Sequence, residues 1–127
     1  MAASEGKGSV LVVDDDAIIR RSLGRLLRAA GHRALLAEDG PAGLAMIEDE
    51  AVEVDVVILD LKMPEMSGAE VLEQLRATAA RDLPVIVYSG ALGQEEAPAS
   101  ADIVLTKPAR SADILEAVAR ALGGTDG

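Results

Sequence analysis

Residues 10–16 read VLVVDDD. Four aliphatic side chains in a row, three of them β-branched, indicate a strand buried on both faces, and the carboxylates that follow mark where it leaves the core. The same alternation of apolar strand and amphipathic helix repeats outward along the chain. From Ala17 to Ala30, the residues Ile19, Leu23, Leu26, Leu27 and Ala30 fall at helical spacing, and Gly31 suits a helix C-terminus. Arg33–Ala37 reads as a weaker strand, followed by the Asp39-Gly40 turn and a helix carrying Leu44, Ile47 and Ala51. Val56–Leu59 is a second fully apolar strand, ending at Asp60. Ser67 with Glu70 three residues later forms a capping box that starts a helix containing Val71, Leu72 and Leu75. Val85–Tyr88 is entered through Pro84 and ends at Ser89, and Ile103–Leu105 ends near Lys107-Pro108. Ser111 can cap a last helix whose inner face would be Ile114, Leu115, Val118 and Leu122.

Five β-then-α units with strands apolar on both faces predict a doubly wound α/β domain, one parallel sheet between two helical layers. At 127 residues the chain has the length of one domain. It divides into a tail (1–8), the folded unit (9–122) and a C-terminal tail (123–127). Half the residues are hydrophobic but Tyr88 is the only aromatic one, so Leu, Val and Ile must build the core. With 22 acidic and 12 basic residues the net charge is −10, a surface that repels nucleic acid and anionic lipid. The absence of Cys excludes disulfides and thiolate chemistry, and the one histidine, His32, is expected in a solvated turn before the second strand. No apolar run approaches the ~20 residues of a membrane span. The expectation is a soluble, cytoplasmic, monomeric domain with no nucleic-acid or membrane partner.

In an open parallel sheet, ligands bind beyond the carboxyl ends of the strands. The residues there are Asp14, Asp15 and Asp16 after the first strand, Asp60 after the third, Ser89 after the fourth and Lys107 after the fifth. Three crowded carboxylates repel one another, and Lys107 offsets only one charge. Mg²⁺, which prefers oxygen ligands, would restore neutrality among Asp14, Asp15, Asp60 and Lys107. The same set suits phosphoryl transfer to a carboxylate: Asp60 attacks, Asp14 and Asp15 hold the metal, and Lys107 and the Ser89 hydroxyl bind the transferred group. Asp16 is read as a helix cap, and Met63 and Met66 as loop packing. Gly6-Lys7-Gly8 precedes the first strand and is no phosphate-binding loop.

The segments VLVVDDD (10–16), GHRALLAEDG (31–40), VVILDLKMPEMSG (56–68), PVIVYSG (84–90) and ADIVLTKP (101–108) together resemble the receiver domains of two-component response regulators. The resemblance implies a flavodoxin-like, CheY-like (βα)5 fold with five parallel strands in the order 2-1-3-4-5. It implies that Asp60 is the phosphoacceptor, Asp14 and Asp15 the metal-binding pair, Lys107 the phosphoryl contact and Ser89 the switch residue. The backbone carbonyl of Lys62 would complete the Mg²⁺ shell, and a cis peptide bond would precede Pro108. The implied donor is a histidine kinase or a histidine phosphotransfer protein, with a downstream effector. The domain would catalyse its own phosphorylation and dephosphorylation rather than act as an enzyme on other substrates.

Val104 stands where the family usually carries an aromatic switch residue, Ala109 follows the Lys-Pro pair, and the stretch from Ser89 to Lys107 is short by about one helical turn. The Gly- and Pro-interrupted segment Gly90–Ser100 is therefore expected to respond to phosphorylation. Two rival readings remain at this point. Asp14-Asp15-Asp16 contains the D-x-D pattern of a haloacid-dehalogenase-type phosphatase, although that family needs a further acidic pair on a later strand end. A degenerate receiver acting as an unphosphorylated scaffold is the other.

Overall fold

The computed structural model describes residues 7–78, 80–90 and 98–123. In chain order the elements are β1 (Ser9–Val13), α1 (Ala17–Ala29), β2 (Arg33–Ala37), α2 (Gly40–Glu48), β3 (Val56–Leu59), α3 (Gly68–Arg76), β4 (Val85–Gly90), β5 (Ile103–Lys107) and α4 (Ser111–Gly123). The strands form one sheet in the order β2-β1-β3-β4-β5, every neighbouring pair parallel. This is the doubly wound arrangement expected from the sequence. Four helices lie among the described residues; the β4–β5 connection includes 91–97, so most of the expected responsive segment lies outside them.

Successive strand residues point to opposite faces, which divides the sheet's side chains between two cores. Leu11, Val13, Val57, Leu59, Val85 and Val87 face one layer, under Leu44 of α2 and Val71, Leu72 and Leu75 of α3. Val10, Val12, Val56, Ile58, Ile86 and Tyr88 face the other, under Leu23 and Leu27 of α1 and Ile114, Ala117 and Val118 of α4. Truncating a fully buried leucine such as Leu11 to alanine typically costs ~2–5 kcal/mol, so the sheet is a stiff platform for whatever its ends carry.

The helices start where side chains satisfy their first N–H groups. Asp16 accepts from the N–H groups of Ile18 and Ile19 at 2.9 and 3.2 Å, and Asp39 from that of Ala42 at 2.9 Å. Ser67 and Glu70 form the expected reciprocal box. Gly31 takes a φ of +96° just beyond α1, a conformation that favours glycine.

Two local expectations are corrected. Ala51 does not extend α2: the Asp49 carboxylate accepts from the Ala51 N–H at 2.9 Å, an alternative to the helical ladder that ends the helix at Glu48. His32 is not in a solvated turn but 8 % exposed, its Nδ1 accepting from the Gly8 N–H at 3.3 Å. Burial, aided by the nearby Lys7 ammonium, lowers its pKa below 6.5. A lowered pKa means that the unfolded chain binds the proton more readily. The stability contributed by neutral His32 is therefore complete above about pH 6.5 and is lost as pH falls through the folded value. His32→Asn keeps an acceptor near Nδ1 but cannot take the proton. Urea unfolding at pH 7.5 and 5.5 should show a larger acid loss in wild type than in this variant; equal losses would contradict the assignment.

Candidate functional site

The carboxyl ends of β1, β3, β4 and β5 bring together the residues singled out in the sequence. The Asp60 N–H donates to the Val13 carbonyl at 3.0 Å, which holds the end of β3 against the end of β1. Asp14 is 2 % exposed and Asp60 6 %, whereas Asp15 is exposed. Oxygens of Asp14, Asp15 and Asp60 lie within 4.8 Å of one another. Lys107 Nζ reaches across from β5, 2.9 Å from Asp14 Oδ2 and 3.6 Å from Asp60 Oδ2. Ser89 is fully buried because β4 runs on to Gly90, and its hydroxyl donates to Asp60 Oδ1 at 2.9 Å. The backbone N–H of Lys62 donates to the same oxygen at 3.3 Å. The peptide bond between Lys107 and Pro108 is cis. Asp16 serves as the cap of α1.

Three carboxylates and one ammonium leave two negative charges in excess. Burial pushes the Asp14 pKa above its ordinary value, despite the Asp16 N–H that donates to Oδ1 at 2.9 Å and the bond from Lys107. Burial alone would lower the Lys107 ammonium, but its hydrogen bond to Asp14 and the charges of Asp14 and Asp60 outweigh it and hold the pKa above 10.5. A cluster of hard oxygen donors, net negative and partly open to solvent through Asp15, fits Mg²⁺.

Three contributors had no role in the sequence reading. Arg20, one turn into α1, donates to the Asp14 carbonyl at 2.8 Å and so braces the loop that carries the acids. Tyr88 lies under the site: its ring centroid is 5.5 Å from Lys107 Nζ, and its hydroxyl accepts from the Ala109 N–H at 3.3 Å. Gly68 packs so closely on β3 that a Cβ there would stand 2.2 Å from the Asp60 carbonyl oxygen, so only glycine lets α3 start at that point. Its place in the MSG run after Asp60 was the available signal.

A family model described as the response regulator receiver domain matches residues 10–119. The chain belongs to this family. It is 41 % identical over 103 residues to the response regulator MprA of Mycolicibacterium vanbaalenii, covering 78 % of this chain and 43 % of that protein. The chain thus spans less than half the length of the curated relatives it matches. A receiver domain protein from Clostridium thermocellum superposes with a TM-score of 0.84 at 28 % identity, covering 91 % of this chain and 94 % of that one. The Vibrio cholerae chemotaxis protein CheY4 gives 0.84 at 30 % identity, covering 91 % and 99 %. Receiver membership sets aside the phosphatase alternative, and two-component signalling is the family's setting.

The excess charge makes Asp14 costly in the metal-free domain. Asp14→Asn should raise metal-free thermal stability and abolish the stabilisation by Mg²⁺. In wild type that gain is about 2.7 kcal/mol when Mg²⁺ stands at a hundred times its Kd. Calorimetric scans with and without Mg²⁺ check both; a variant still stabilised by Mg²⁺ would remove Asp14 from the ligand set.

Proposed function

We propose that this receiver accepts a phosphoryl group on Asp60 from the phosphohistidine of a histidine kinase or histidine phosphotransfer protein, and that the phosphorylated state changes binding of a downstream effector. The observation that best supports the reading is the surroundings of the Asp60 carboxylate: a serine hydroxyl, a backbone N–H and an ammonium from three different elements, beside two further carboxylates. Residues 9–122 form the signalling unit, acting as a monomer in the cytoplasm.

Asp14, Asp15 and Asp60, with the Lys62 carbonyl, would hold Mg²⁺, which neutralises the carboxylates and draws charge from phosphoryl oxygens. An Asp60 oxygen attacks phosphorus in line. The O–P bond forms as the P–N bond breaks, and the imidazole nitrogen keeps the electron pair and takes a proton from solvent. Lys107 is near enough to Asp60 to meet the new phosphoryl oxygens, and Ser89 can turn its hydroxyl from Asp60 Oδ1 to one of them. Hydrolysis of the acyl phosphate returns the carboxylate, so the domain carries out its own phosphorylation and dephosphorylation.

The donor needs a face beside the site. Ile18, in the first turn of α1 just past the acids, is 74 % exposed. It borders an apolar groove of about 220 Å³ between α1 and α4, lined also by Ile19, Leu26, Tyr88, Ala109 and Ile114. An exposed apolar patch beside the acids suits docking of a protein donor. Asp60→Asn should abolish labelling by both acetyl phosphate and a phosphohistidine donor. Ile18→Asp should slow transfer from the protein donor about tenfold, roughly 1.4 kcal/mol, and leave acetyl phosphate labelling unchanged. Labelled Asp60→Asn protein would assign the acceptor elsewhere, and unimpaired transfer to Ile18→Asp would move the docking face.

A further inference from the structure

Lys107 sits at the end of an edge strand whose own sequence specifies its register weakly. Among the described residues β5 pairs with β4 alone. Its half-buried residues are Ile103, Leu105 and Lys107, and its exposed ones Val104 and Thr106. A slip of one residue would exchange two aliphatic side chains for Val104 and Thr106, a small penalty where neither face is fully buried. It would also move the Lys107 position by ~3.3 Å and turn its side chain to the other face, away from Asp14 and Asp60.

The restraint lies at the far end of the strand. Asp102 N–H donates to the Val85 carbonyl at 2.9 Å, and Val85 N–H donates to Asp102 Oδ2 at 2.8 Å. Arg76, the last residue of α3, donates to the same carboxylate oxygen from Nη2 at 3.0 Å and to the Ser100 carbonyl at 2.7 Å. Its Nη1 donates to the carbonyls of Arg81 and Leu83 at 2.7 and 2.6 Å. One guanidinium thus ties the end of α3 to the turn entering β4 and to the approach to β5. A solvent-facing ion pair alone would contribute little, but a planar fork that meets four acceptors on two segments holds a geometry. The register that follows pairs Ser89 with Thr106 and Gly90 with Lys107. The two side chains that meet Asp60 from β4 and β5 are therefore set by one ladder.

We propose that Arg76 is a positioning residue for Lys107: through Asp102 it locks the β4–β5 register and so delivers the ammonium to Asp14 and Asp60 at the opposite end of the strand. Its kinetic consequence rests on the reading of Asp60 as phosphoacceptor; the register does not.

The test uses the full chain carrying Arg76→Gln, with Asp102→Asn, which keeps an acceptor for Val85 but drops the charge facing Arg76, as a second variant should the first fail to fold. Two quantities are read well below the melting temperature: amide hydrogen exchange at Val104 and Thr106, which alternate with Asp102 along the ladder, and the rate of Asp60 labelling by acetyl phosphate. Exchange at these amides should quicken about tenfold while that of Val10–Val13 is unchanged, and labelling should slow about tenfold. Wild-type exchange in β5, equal acceleration in β1 and β5, or loosened exchange with an undiminished labelling rate would each overturn the inference. Failure of the wild-type chain to label would instead overturn the phosphoacceptor reading and leave the exchange measurement to decide the register.

Discussion

Asp14 and Asp60 leave the ends of adjacent parallel strands, which run only ~4.8 Å apart, and a backbone hydrogen bond from Asp60 to Val13 prevents the two from drifting apart. Two buried carboxylates at that spacing, with Asp15 beside them, repel one another, and burial adds to the cost of charge on Asp14. The surrounding contacts answer this repulsion: the Lys107 ammonium lies between the two acids, Ser89 and the Lys62 N–H serve one Asp60 oxygen, and the Asp16 N–H serves Asp14. Charge is still left over. A fold that tolerates this cost gives up stability, the trade expected where a cluster of charges serves function rather than folding.

The platform beneath the acids is rigid, and that limits where a response can travel. β1 and β3 are buried on both faces, and Gly68 brings the start of α3 against the Asp60 backbone. The β4–β5 side is less deeply buried at its edge strand. Ser89 and Lys107 arrive there on the last two strands, and Val104 is 43 % exposed with no aromatic ring to rotate. Signal transmission by the family's usual aromatic has no counterpart at this position, where the side chain is that of valine.

Much of this was legible in the chain. Aliphatic runs closed by Asp14 and Asp60 revealed β1 and β3, because a strand buried on both faces must end abruptly where carboxylates begin. Ser67 and Glu70 announced α3 by a local capping rule. Local rules also failed where a side chain competed with the backbone: Asp49 ended α2 early by bonding to Ala51. His32 was misread because its burial depends on Gly8, remote in sequence and brought near only by the fold. The contacts of Arg20 and Arg76 escaped for the same reason, since a lone arginine on a helix looks like a solvated charge until the carbonyls it serves are in place.

The measurement that bears most directly on the buried charge excess is a carbon-13 carboxylate NMR titration of Asp14 without and with saturating Mg²⁺. The metal-free domain should show Asp14 titrating above the ordinary range for aspartate, and Mg²⁺ should drive it below that range as the cation offsets the neighbouring carboxylates. An Asp14 that titrates normally without metal, or at the same pH in both conditions, would contradict the account.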